Sequence, residues 1–116
     1  MKKFMAVYLG SAEGLSKWKA MDEARRRQSE KAGKEAWAKW GAANAGAIVD
    51  HGSPLGKTKR ISAQGIADTR NEIAAWTIVQ AESHEAAARL FENHPHFTVF
   101  PGDAIEVMEC LPMPEM

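Results

Sequence analysis

Cysteine is almost absent from this chain: Cys110 stands alone among 116 residues. One thiol cannot close an internal disulfide, so a reducing, cytoplasmic home is the simplest expectation. The thiol lies in an apolar run, which reads as buried packing rather than as a nucleophile. An excess of charge is also missing. Fifteen basic and fifteen acidic residues give a formal net charge of zero. No global field therefore draws the chain to nucleic acid or to a membrane surface. Long hydrophobic runs are lacking as well. The apolar stretch after Lys2 and Lys3 spans only Phe4 to Leu9. A signal-peptide core needs about seven to fifteen apolar residues, and a membrane helix about twenty. A β-strand accounts for the stretch better.

What is present fits one soluble domain. Hydrophobic residues make up 45% and charged residues 26%, the balance of an ordinary globular protein. Charge is unevenly placed. Residues 17–39 hold Lys17, Lys19, Arg25, Arg26, Arg27, Lys31, Lys34 and Lys39 against four acids, while the tail from Asp103 holds only acids. Such faces are either solvated or meet each other between subunits.

The pattern of elements is mixed. Phe4 to Leu9 reads as a strand, and Ser11 to Gly14 as a break. A short turn around Trp18 leads into a long helix from about Met21, with Asp22 and Glu23 complementing its dipole. Ala36, Trp37, Trp40 and Ala43 mark the inner face of that helix. Ala47 to His51 reads as a second strand, and Gly52 to Gly56 as a loop. Lys57 to Ser62 is a further short strand, and Gln64 to Asn71 a polar turn. Ile73 to Gln80 is a clear strand. Ser83 caps a helix from His84 to about Asn93, which Pro95 ends. Phe97 to Gly102 is a loop, and Ala104 to Leu111 the last strand.

The order is β-α-β-hairpin-β-α-β, an α+β, ferredoxin-like βαββαβ arrangement with an antiparallel sheet and a hairpin insertion. Two helices cover one face of such a sheet. The other face carries Ala74, Trp76, Ile78 and Gln80 on one strand and Ala104, Glu106, Met108 and Cys110 on another. That face is too apolar for free water, which predicts a second copy of the chain against it.

Several stretches invite a chemical reading. The segment Gly52 to Thr58, GSPLGKT, lacks the spacing of a phosphate loop, and no helix follows it. Arg25-Arg26-Arg27 and the cluster from Lys57 to Arg60 lack interleaved stacking aromatics, so a nucleic-acid partner is not expected. Asp50 and His51 are neighbours on a strand, so they face opposite ways and cannot pair. Either can act as an acid or base if it lines a pocket; Asp50 can equally cap the turn at Gly52. Trp37, Trp40 and Trp76 read as core or as the wall of an aromatic cleft. His94 and His96, in ENHPHF, flank a proline that tends to splay them. No third or fourth ligand converges, so no metal site is expected. His94 reads as a helix-end imidazolium interacting with the dipole; either histidine can also contact a bound ligand.

Three segments, GAIVDHGSPLGKTKRIS, IVQAESHEAAARLFENHPHF and GDAIEVMECLPMP, together resemble the YCII-related family across essentially the whole chain. The resemblance implies a ferredoxin-like protomer pairing through its sheets into a dimeric α/β barrel, with a cleft on each protomer. Many members carry a histidine on the first helix and an aspartate on the second strand. Asp50 matches the strand position, but the first helix here has no histidine. The expectation is a small-molecule-binding homodimer without a cofactor. Its chemistry would be proton transfer on a small organic acid or lactone, with Asp50 as base and His51 or His96 in support. The other open reading is a non-catalytic accessory module that binds another protein.

Overall fold

A computed structural model describes residues 1–114. The elements are β1 (Lys2–Leu9), α1 (Ala12–Ala20), α2 (Glu23–Ala43), β2 (Ile48–Pro54), β3 (Thr58–Ser62), β4 (Gly65–Thr69), β5 (Ile73–Ala81), α3 (His84–Arg89), α4 (Pro95–Thr98) and β6 (Ala104–Glu109). The strands form a four-stranded sheet in the order β2-β5-β1-β6, and β3 and β4 form a separate two-stranded sheet. Every pairing is antiparallel. This is a mixed α+β, ferredoxin-like arrangement with the hairpin placed between β2 and β5.

Period-two alternation sets the core. Phe4, Ala6 and Tyr8 of β1 point to one face and meet Val79 and Ala81 of β5, with Ala87 and Phe91 above them. Trp37, Trp40, Ile48, Leu90, Ile105 and Val107 pack around this cluster while partly exposed. The opposite face carries Val7 beside Trp76 and Met5 beside Ile78 and Met108. Among the described residues no helix packs over it.

Several elements differ from the sequence expectation, each for a local reason. The turn around Trp18 is a full helix, because the Ser11 hydroxyl accepts the Gly14 N–H at 3.0 Å and caps it. β2 runs through to Pro54, because Gly52 at φ 69° absorbs an irregularity that keeps Ser53 and Pro54 in register with Trp76 and Ala75. The expected polar turn at Gln64 to Asn71 is mostly β4, and only Ala63 and Gln64 turn the chain.

The second helical region divides in two. α3 ends at Arg89, and Asn93 adopts φ 57°, a left-handed conformation that asparagine tolerates. Pro95 then begins α4 instead of ending α3, since proline suits the first position of a helix. Cys110, expected to be buried, is exposed beyond the end of β6.

The β3–β4 hairpin is an arm. Its strands are exposed almost throughout, and Ile61 and Ile66, directly paired, are 74% and 72% exposed. The radius of gyration is 16.1 Å, against about 13 Å for a compact domain of this length. The arm and the one-sided sheet account for the excess.

Candidate functional site

The C-terminal end of β1 is the hub. The Leu9 carbonyl accepts two hydrogen bonds, from the Asp103 N–H at 3.0 Å and from the ring Nε2 of His96 at 2.7 Å. A carbonyl only accepts, so in the neutral His96 ring the proton sits on Nε2 and Nδ1 is the acceptor. The Asp103 carboxylate takes the Ser11 N–H at 2.5 Å, and the Gly10 N–H goes to the Glu72 carbonyl at 2.9 Å. These bonds tie β1, α1, β5 and the segment 99–103 together at one end of the sheet.

Close packing holds that segment down. A Cβ on Gly102 would lie 2.3 Å from His96 Nε2, and one on Gly33 would lie 2.2 Å from Phe100 Cζ. Only glycine lets α2 meet the Phe100 ring, and only glycine lets the main chain at 102 pass over the imidazole.

His94 lies behind His96. It is fully buried, and its Nδ1 accepts the His96 N–H at 3.0 Å. The proton of the neutral ring is therefore on Nε2, which has no hydrogen-bond partner. Aromatic rings surround it instead: Trp37 at 4.4 Å and Trp40 at 4.6 Å, with Tyr8 at 5.2 Å. Burial, with the neighbouring His96 charge adding to it, pushes its pKa down to about 4. His94 is thus neutral at physiological pH. The expected helix-end imidazolium is not formed, because the residue caps α4 from inside the core. Nor do the two histidines splay apart. Both rings meet Tyr8 and Trp37, because Pro95 starts a helical turn that brings them to one side.

Tyr8 completes the interior. Its hydroxyl and the Thr77 hydroxyl are 2.8 Å apart, and Thr77 Oγ1 donates to the His51 carbonyl at 3.2 Å. Since Thr77 gives its proton to His51, Tyr8 donates to Thr77. Burial raises the Tyr8 pKa to about 12, with the Thr77 bond opposing the rise.

An open cleft of about 1420 Å³ lies over this hub. Its floor includes Tyr8, Trp37, His96 and Phe100, and the root of the hairpin forms the opposite wall. Two of the residues singled out from sequence, Trp37 and His96, line it. Trp40 and His94 lie behind the floor, where Trp40 Nε1 donates to the Leu90 carbonyl at 2.8 Å. Trp76 is on the other face of the sheet, paired with Val7 in register. The Asp50 carboxylate accepts the Gly52 N–H at 2.8 Å and shapes the irregularity in β2. The His51 ring rests near Gly41 on α2, outside the cleft lining.

Sequence reasoning missed Tyr8, Thr77 and Phe100. Tyr8 alternates with Phe4 and Ala6 on β1, and a tyrosine on a buried strand face calls for a hydroxyl partner. Phe100 carried no periodic signal. Among the described residues, no three of histidine, cysteine, aspartate and glutamate gather as metal ligands. No helix among them is long and apolar enough to cross a membrane.

No family model matches the chain, and no curated protein matches it. Among solved structures it is similar to 5-chloro-2-hydroxyhydroquinone dehydrochlorinase (TftG) from Burkholderia phenoliruptrix AC1100, in complex with 2,5-dihydroxybenzoquinone. The two are 17% identical, with a TM-score of 0.54 over 90% of this chain and 89% of that one. At that identity the likeness carries the fold alone, a small mixed α/β protomer built on an antiparallel sheet.

Proposed function

We propose that this chain is a YCII-related protein that acts as a cytoplasmic homodimer and binds a small organic molecule in the cleft over His96. Pairing is through the face of the sheet that carries Val7, Trp76, Ile78 and Met108, giving a dimeric α/β barrel. One observation carries the reading of the site. The Leu9 carbonyl holds the proton of His96 on Nε2, which presets Nδ1 as a proton acceptor beside an aromatic floor. The chemistry is proton transfer on a small organic acid or lactone, and it needs neither metal nor cofactor.

In this reading His96 is the base and Trp37 is part of the binding wall. Asp50 and His51 act as supports: Asp50 shapes the end of β2, and the His51 carbonyl anchors the Thr77–Tyr8 pair. The similar structure holds a small cyclic ligand, which is in keeping with a ligand of that size here.

Light scattering and ligand screening test the proposal together. A solution mass near twice 12.7 kDa, with a small acid or lactone bound and its turnover lost in His96→Gln, is the expected result. A stable monomer that binds none of these compounds overturns it.

A second reading, an accessory module that binds another protein, draws on the exposed Ile61–Ile66 pair of the arm. Stoichiometric recovery of a protein partner, lost in Ile61→Lys, would favour it.

A further inference from the structure

The hairpin treats its charges unequally. Lys59 faces Asp68 across the ladder, and their side chains pair at 2.5 Å. Thr58 faces Thr69. Lys57 immediately precedes β3 and Arg70 immediately follows β4, so the two flank the last pair of the ladder at the root of the arm. Among the described residues neither Lys57 nor Arg70 has a carboxylate oxygen within 4.0 Å. Both residues line the cleft.

A third cation, Lys34, reaches the cleft from α2 and is likewise unpaired. It lies one turn from Glu30, a spacing that permits an ion pair that is not made. The carboxylates of Glu30 and Glu72 also border the cleft. Three unpaired cations against two unpaired acids leave a local positive excess, concentrated at the hairpin root. Opposite that root lies the aromatic floor, where Trp37 and Phe100 are half-buried and Tyr8 is fully buried beneath them.

We propose that Lys57 and Arg70 form an anion clasp, and that the ligand of the cleft is an aromatic carboxylate. Its ring lies on the aromatic floor, and its carboxylate sits between the two cations. Arginine offers a planar pair of donors to a carboxylate, and lysine a point charge. This inference rests on the reading of the cleft as a ligand site and adds the class of ligand.

The test is titration of the full chain with benzoate, its neutral analogue benzamide, and cyclohexanecarboxylate, followed by calorimetry and tryptophan fluorescence. Benzoate is expected to bind at least about tenfold more tightly than either of the others. Its affinity should fall as salt is raised. The double variant Lys57→Gln/Arg70→Gln should lose the advantage of benzoate over benzamide while benzamide binding stays unchanged. Both residues are exposed, so the variant is expected to fold, and an unchanged melting curve checks this. Equal affinity for benzoate and benzamide, or full benzoate affinity in the double variant, overturns the clasp but leaves the cleft as a ligand site. Equal affinity for benzoate and cyclohexanecarboxylate overturns the aromatic preference. Binding of none of the three overturns the clasp and the cleft reading together.

Discussion

His96 is bonded through its side chain to the main chain of Leu9, 87 residues earlier in the chain. The bond fixes which ring nitrogen carries the proton, and it pins the segment after α4 to the end of β1. His96→Leu removes the donor and leaves the carbonyl with Asp103 alone. A lost bond of this buried kind costs about 1–3 kcal/mol. Urea unfolding of the variant should show that loss with an unchanged slope.

His94 makes stability depend on acid. Its folded pKa is about 4, below the ordinary 6.5. Between those values the unfolded chain binds a proton that the folded chain refuses. The contribution is complete above pH 6.5 and is lost as pH falls toward 4, by up to about 3 kcal/mol at ~1.36 kcal/mol per pH unit. Unfolding free energies measured across this window should slope more steeply for the natural chain than for His94→Phe. Equal slopes would show that His94 is not the group responsible.

Tyr8 is the sole tyrosine, so phenolate absorbance reports it without interference. Titration with base should give an apparent pKa near 12, or a jump only as the fold opens. Tyr8→Phe should cost about 1 kcal/mol, since Thr77 keeps its bond to His51. Thr77→Val should cost more, because it strands the buried phenol without an acceptor. The two variants and their double mutant form a cycle that separates the terms.

Gly33→Ala places a methyl group inside the present position of the Phe100 ring. Overpacking of this kind costs about 1–3 kcal/mol, and the ring must shift toward the cleft. The expected outcome is a lower melting temperature together with weaker binding of any ligand that rests on Phe100. Gly46→Ala meets no atom within 4 Å and serves as the control.

Trp76→Glu and Ile78→Glu put charge on the uncovered face of the sheet. On the proposed pairing, both should drop the solution mass from twice 12.7 kDa to 12.7 kDa, because an unpaired carboxylate is costly inside an interface. A dimer that survives both changes is paired through some other surface.

The sequence by itself determined the principal strands, the long helix and the faces of the sheet, but not the full helix α1, the strand β4 or the division of α3 from α4. Alternation in β1 and β5, the long helix with Trp37 and Trp40, and the Ser83 cap are local signals, and local signals are written in neighbouring residues. Tertiary structure alone decided the site. His94 and His96 looked like a helix end because ENHPHF places a proline after a helix. Whether that proline ends one helix or starts the next depends on Asn93 turning left-handed and on His94 and His96 packing against Tyr8 and Trp37. Asp50 and His51 each read as an acid or base if a pocket were near, with Asp50 equally able to cap the turn at Gly52; in the fold the Asp50 carboxylate accepts the Gly52 N–H and the His51 carbonyl accepts from Thr77. The meeting of Leu9 with His96 and of Gly33 with Phe100 depends on contacts distant in the chain. Such contacts leave no periodic trace in the sequence, because side-chain periodicity records only which way a residue faces and not what it meets.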